Sequence, residues 1–231
     1  MTFIQVIECR TRRMDELNRL MDAWVEATQG KRTATHSVVG RDRADSTHVV
    51  EIVEFPSHEE AMQNSHLPET EGIFREMLDL CEGEPSFTDL DVMRDEQLNK
   101  IVVRSYFEDV INPRNIDGMD GMCTCDYREH SPAMSSYDLG LAQAKAETKE
   151  ITAALRPELT VESMVAEGEM VCVRLSVKGR HVGTFAGVEA TGKEISGTGQ
   201  ITFRCEGGRL AESWWNMDER GVLEQVGALK G

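Results

Sequence analysis

The sequence predicts a two-domain α+β protein, and three observations carry that expectation. From residue 2 to residue 93 the apolar spacing switches between period two and period 3.6 in the order strand, helix, strand, strand, helix, strand. A charged stretch with few apolar side chains, RDEQLNK at residues 94–100, then interrupts the pattern. Beyond it helices come first and only strands follow, as in a strongly curved sheet wrapped on helices. The boundary predicts domains at residues 1–96 and 101–231.

Taken in order, residues 2–9 alternate Phe3, Gln5 and Ile7 against Ile4 and Val6, a strand pattern. Residues 14–28 place Leu17, Leu20, Met21, Trp24 and Val25 on one helical stripe, stopped by Gly30. Residues 33–40 and 47–55 read as a hairpin joined by the polar turn RDRADS. Ser57 precedes His58-Glu59-Glu60 as a helix N-cap, and Leu67-Pro68 ends that helix. A second segment, residues 69–80, carries Ile73, Met77 and Leu80 at helical spacing before a strand at residues 87–93. Two helices on one face of an antiparallel sheet make the split βαβ arrangement.

In the second half, residues 101–111 predict a helix stopped by Asn112-Pro113, and residues 116–122 a short one. Residues 127–130 read as extended, and residues 134–155 as a helix ending at Arg156-Pro157. Strands are predicted at residues 160–167, 170–178, 194–205 and 209–217, with a strand or bend at 180–186 and a helix at 219–226. Such a meander leaves a pocket at its open end.

Composition narrows the partners. A formal charge of −16 disfavours nucleic acid and anionic membrane surfaces and points to small neutral or aromatic molecules and to other protein. No apolar run approaches the roughly 20 residues needed to cross a bilayer, and MTFIQVIECRTRRMDEL lacks a signal-peptide layout, so a cytoplasmic location is expected. Six cysteines, at positions 9, 81, 123, 125, 172 and 205, read as free thiols; Cys123 and Cys125 have no second pair to complete a metal site. Neither metal nor cofactor is expected.

The candidate chemistry gathers near the C-terminus. Asp218 follows the pair Trp214-Trp215 at the end of a strand, where desolvation would raise its pKa and basicity. Strand alternation puts Trp214 and Asn216 on the face of Asp218, and Glu212 with them. The competing reading of Asp218 is an N-cap for the helix at 219–226. His130 in YREHSP reads either as a polar group at the pocket rim or as a turn histidine, and His181 as a group orienting a substrate carbonyl or holding a bend. Tyr106 reaches a substrate oxygen or packs in the core; Arg174 and Gln200 line the cavity or face solvent. In the first domain Trp24, His36, His48, Asn64 and His66 are the candidates for binding an aromatic substrate.

From Val103 to Gly227 the chain resembles the SnoaL-like polyketide cyclase, or ester cyclase, family. The resemblance rests on YFEDVINPRNIDGMDGM, DYREHSP, RPELTVESMVAEGEMVCVRLSVKGRHVGTFAGVEATGK and AESWWNMDERGVLEQVG, in that order. It implies a cystatin-like cone of the nuclear-transport-factor type and a cofactor-free intramolecular aldol closure, with Asp218 as acid and base. His181, Gly183, Phe185, Gly187, Thr191 and Gly192 match the central motif, with Phe185 as a substrate contact; Glu189 and Ala190 stand where the family often has Pro. Residues 1–93 are similar to the antibiotic biosynthesis monooxygenase family through the FPSHEEAMQNSHLPETEGI segment and its preceding hairpin. That similarity implies a ferredoxin-like domain, a homodimer or higher homo-oligomer, and either a monooxygenase-like or a dimerisation role. The function expected is therefore aromatic polyketide tailoring by cyclisation; the alternatives are cofactor-independent hydroxylation of an anthracycline-like ring and non-catalytic carriage of a hydrophobic ligand.

Overall fold

The computed structural model describes residues 2–93, 97–132 and 136–229. The chain divides into two compact units, Met1–Asp95 and Glu96–Gly231. Three residues of the charged boundary stretch, 94–96, lie outside the described residues.

In the N-terminal unit β1 (Phe3–Arg10), β2 (His36–Arg41), β3 (His48–Phe55) and β4 (Ser86–Asp91) form an antiparallel sheet in the order β2-β3-β1-β4. Helices α1 (Met14–Ala27), α2 (His58–Ser65) and α3 (Pro68–Leu80) cover one face of it. Local chemistry sets their ends. Ser57 Oγ accepts from the Glu60 amide at 3.2 Å to cap α2, and Pro68 opens α3, where its missing N–H costs nothing. Strand alternation then sorts the side chains: Phe3, Val49, Val53 and Phe55 are buried toward the helices. The opposite face carries Val38, Ile52 and Val6 in cross-strand register.

The C-terminal unit opens with α4 (Leu98–Ser105), which loosens into a π-helical stretch, Tyr106–Ile111. Asn112 ends it and clamps the next layer: its Nδ2 donates to the Leu159 carbonyl and its Oδ1 accepts from the Leu159 amide, both at 2.9 Å. A 3-10 turn (Ile116–Gly118) and α5 (Met119–Met122) lead into β5 (Cys123–His130) and β6 (Asp138–Gly140). Then come α6 (Leu141–Leu155), β7 (Glu158–Glu167), β8 (Met170–Arg180), β9 (Glu194–Glu206), β10 (Arg209–Met217) and α7 (Glu219–Val226). The sheet order is β6-β5-β10-β9-β8-β7, with β5 and β10 parallel and the other pairs antiparallel.

One expectation is corrected and two are sharpened. The segment at 127–130 is the end of an eight-residue strand, β5, whose inward positions include the acid Glu129 and so break the apolar alternation. The helix expected at 134–155 begins at Leu141, because Asp138–Gly140 pairs with β5 instead; its expected start, Met134, lies outside the described residues. Residues 180–186 add no further strand: β8 ends at Arg180, and the rest is a loop with a single bridge, Phe185 to Val188.

The core of this unit lies between the helices and one face of the sheet. Val103, Tyr106, Phe107 and Val110 pack on Val173, Leu175, Ile201 and Phe203, all buried. Tyr106, Phe107 and Phe203 meet edge to face, with centroids 5.6 to 5.9 Å apart. Among the described residues no helix is long and apolar enough to cross a membrane.

Candidate functional site

Which residues of β10 face this core is decided by a bulge. Leu210 pairs with Cys205 and Glu212 with Arg204, so Ala211 is the extra residue and the alternation shifts by one across it. Ser213, Trp215 and Met217 therefore point inward, while Glu212, Trp214 and Asn216 point outward.

Inward, the cluster is polar and enclosed. Ser213 lies beside Glu129 in the parallel register of β10 and β5. The Tyr127 hydroxyl lies 3.0 Å from Glu129 Oε2 as donor and 2.6 Å from Ser213 Oγ, and Trp215 Nε1 donates to the same Oγ at 3.0 Å. Glu129 is 1% exposed, yet among the described residues its Oε1 has no hydrogen-bond partner, and neither has the hydroxyl of Tyr106. Burial pushes the Glu129 carboxyl up to about 7, against the lowering effect of the Tyr127 hydrogen bond. Burial likewise raises the Tyr106 phenol well above its ordinary value, with the Glu129 charge adding to it. Native proteins rarely leave two buried polar atoms of one cluster unpaired. A carboxyl poised near neutrality beside an unpartnered phenol can take a proton from a guest and offer a hydrogen bond to an oxygen.

Outward, most of the residues expected to line a pocket form a surface row. Arg174, Gln200 and Asn216 are exposed and neighbour one another in the registers of β8, β9 and β10. Arg174 approaches Glu162 at 3.9 Å. Trp214 stacks on His130 with centroids 5.4 Å apart, and His130 Nε2 lies 2.8 Å from Glu212 Oε1. Asp218 is exposed; its Oδ1 accepts from the Gly221 amide at 3.0 Å as the cap of α7. The expectation of a desolvated Asp218 against Trp214 is thus corrected. The face chosen from Asp218 is internally consistent but is the outer one, and Ser213, Trp215 and Glu129 hold the inner one.

His181 and Phe185 belong to a third place. His181 is fully buried and organises the loop after β8: its Nδ1 lies 3.0 Å from Thr191 Oγ1, and its backbone exchanges hydrogen bonds with Lys193 and Gly192 at 2.9 Å. Phe185 packs with Ala154, Leu155, Ile195 and Val226, away from Glu129. Of the expected site residues, only Tyr106 stands in the polar cluster. Glu129 and Tyr127 escaped sequence reading. The signal was present in CDYREHSP, where an acid occupies an inward strand position next to a tyrosine two residues earlier.

Among the described residues no group of three or more His, Cys, Asp or Glu side chains could hold a metal ion, and the six cysteines are free.

Residues 101–226 match the profile of the SnoaL-like polyketide cyclases. Among solved structures, the chain is similar to TsrD from Streptomyces laurentii, at 26% identity over 59% of this chain and 99% of that one, TM-score 0.51. It is similar to a candidate SnoaL-like polyketide cyclase from Jannaschia sp. CCS1, at 23% identity over 61% and 99%, TM-score 0.54. It is also similar to AclR from Streptomyces galilaeus, a candidate hydroxylase, at 22% identity over 57% and 97%, TM-score 0.52. No curated protein matches the chain.

Proposed function

The chain belongs to the SnoaL-like polyketide cyclase family, and from that premise we propose that its C-terminal unit closes a ring by cofactor-free intramolecular aldol chemistry, with Glu129 rather than Asp218 carrying the proton. The observation that supports this reading is the buried, half-satisfied Glu129 carboxyl, bonded to Tyr127 and accompanied by the unpartnered Tyr106 phenol.

In this reading ionised Glu129 removes a proton from a carbon flanked by two carbonyls. The enolate carbon bonds to a carbonyl carbon of the same molecule, and the Tyr106 hydroxyl donates a hydrogen bond to the oxygen that becomes negative. The proton held by Glu129 then passes to that oxygen, so product and substrate have the same atoms and no oxidant or reductant is consumed. A general base works best when its pKa lies near the working pH, which a carboxyl at about 7 satisfies. Entry of a ring requires Trp215 and Met217 to yield. Both are only partly buried, and the Met217 thioether lies across Gly199, where an unbranched side chain repacks readily.

The test is deuterium uptake at the acidic carbon of an aromatic β-keto ester, followed by NMR with the full-length protein. Glu129→Gln is expected to slow exchange by about 10²-fold or more, and Asp218→Asn to leave it within about twofold. Full activity in Glu129→Gln overturns the assignment. Oxygen consumption in step with turnover favours hydroxylation instead.

The N-terminal unit is read as a ferredoxin-like pairing module rather than a monooxygenase. The sheet order β2-β3-β1-β4 with helices on one face supports that, as do Val38, Ile52 and Leu90 on the other, each more than 40% exposed. Ile52→Glu is expected to halve the mass measured by light scattering, and a wild-type monomer would refute the module.

A further inference from the structure

We propose that Cys9 and Cys81 form an oxidation site, a dithiol that a hydroperoxide converts into a disulfide clamping the end of α3 to the end of β1. Both residues lie outside residues 101–226, to which the family assignment applies.

The chain is drawn together around this pair. Cys9 is the next-to-last residue of β1, and Cys81 caps the C-terminus of α3. Beyond them, residues 10–13 run along residues 79–82 as a hydrogen-bonded seam. The Glu82 amide donates to the Arg10 carbonyl at 2.6 Å, and Thr11 Oγ1 donates to the Leu80 carbonyl at 2.7 Å. Arg12 Nε donates to Glu82 Oε1 at 2.8 Å, and Arg13 Nη1 to the Asp79 carbonyl at 3.2 Å. Thr11 is 1% exposed, so the middle of the seam is shielded from water. A backbone hydrogen bond one residue past each cysteine holds the two main chains about 5 Å apart, a separation that a disulfide spans.

The two side chains meet in the same apolar environment. Cys9 clusters with Leu17 and Val49, and Cys81 packs against that cluster together with Met14, Met77 and Leu80. Both sulfurs are free thiols, Cys9 buried and Cys81 half-buried. Burial first, and then the adjacent Cys81 thiol, push the Cys9 thiol up to about 12, so it stays protonated at neutral pH. Cys81 is therefore the thiol that an oxidant reaches, and Cys9 the one that resolves.

The Cys81 sulfur, as thiolate, attacks an oxygen of the hydroperoxide. The O–O bond breaks, leaving a sulfenic acid on Cys81, and the departing oxygen takes up a proton. The Cys9 sulfur then attacks the Cys81 sulfur, the S–O bond breaks, and the hydroxide leaves as water with the Cys9 proton. The protein loses two hydrogens and two electrons, the peroxide gains them, and a dithiol reductant reverses the step. The bridge closes a loop that contains α1, β2, β3, α2 and α3. Such a closure restricts the unfolded chain and stabilises the unit.

The test treats the full-length protein with hydrogen peroxide, blocks the remaining thiols with iodoacetamide in denaturant, and maps a tryptic digest by mass spectrometry. The expected product joins residues 1–10 to residues 76–94, is two hydrogens lighter than its parts, and is released by dithiothreitol. Amide hydrogen exchange at residues 79–82 should slow by about tenfold or more on oxidation, and Cys81→Ser should abolish that change. Cys9→Ala, which places no new polar group in the core, should leave a Cys81 sulfenic acid that dimedone captures. Oxidation confined to Met14, Met77 or the exposed Cys125 overturns the proposal, as does a Cys81 bridge between two chains. A Cys9–Cys81 bridge with unchanged exchange at residues 79–82 overturns the clamp.

Discussion

The interiors of the two units are built on opposite plans. In the C-terminal unit Tyr106, Phe107 and Phe203 fill the space beneath the sheet with rings in edge contact, and the polar cluster around Glu129 is sealed among them. In the N-terminal unit the helices stand off the sheet around an apolar cavity of about 420 Å³. The difference teaches that chemistry and room need not coincide. The acid and phenol proposed to handle the proton occupy a tight core whose guest must displace side chains, whereas the open space of the N-terminal unit lies against a largely apolar wall that carries Glu51 and Glu71.

Truncation in each interior should break or sharpen that contrast most strongly. Phe203→Ala is expected to cost about 3–5 kcal/mol in chemical denaturation, because a filled core collapses poorly onto a missing ring. Phe74→Ala, at a cavity wall and 37% exposed, is expected to cost about 1 kcal/mol, since that ring already lacks partners on one side. Equal losses would show that the N-terminal cavity closes in solution.

The next effect is one of pH. Glu129 rises from an ordinary 4.5 to about 7 on folding, so the folded state holds a proton that the unfolded state releases. Its contribution is most favourable below about pH 4.5, declines as pH rises to about 7, and is constant above. Glu129→Gln lacks this decline, so its stability relative to wild type should grow by about 3 kcal/mol between pH 4 and pH 8, at about 1.4 kcal/mol per unit. Parallel stability curves across that window would mean that the carboxyl is hydrated rather than sealed.

The smallest effect concerns the acid on the outside. Asp218→Ala is expected to lose about 1 kcal/mol with its cap on α7, and Asp218→Asn only a few tenths, since Asn caps as well as Asp. Neither should change the exchange rate. A large rate loss in Asp218→Asn without a stability change would restore the outer face as the catalytic one.

Much of the fold was legible because it rests on local patterns. The stripe Leu17, Leu20, Met21 and Trp24, the Ser57 cap, Pro68 and the alternation in β1 and β3 each act within a few residues, and the elements stand where they predict, although Val25, read as part of that stripe, is 47% exposed. Of the side chains chosen as candidates, Trp24 and Asn64 line the N-terminal cavity and Tyr106 is buried in the C-terminal core. The face of β10 was not legible. Apolar Leu210 and Ala211 and the adjacent pair Trp214-Trp215 fit either parity, and one extra residue at the bulge exchanges every side chain between core and solvent.

By itself the sequence determined the α+β class, most of the strands and helices of both units, and the family to which residues 101–226 belong. Those follow from periodicities and motifs that neighbouring residues share. Only the tertiary structure decided that Glu129 is the enclosed acid, that Asp218 is a helix cap, and that the N-terminal unit is hollow. Desolvation and empty volume are set by what other strands and helices place around a side chain, and chain-local pattern carries no record of that.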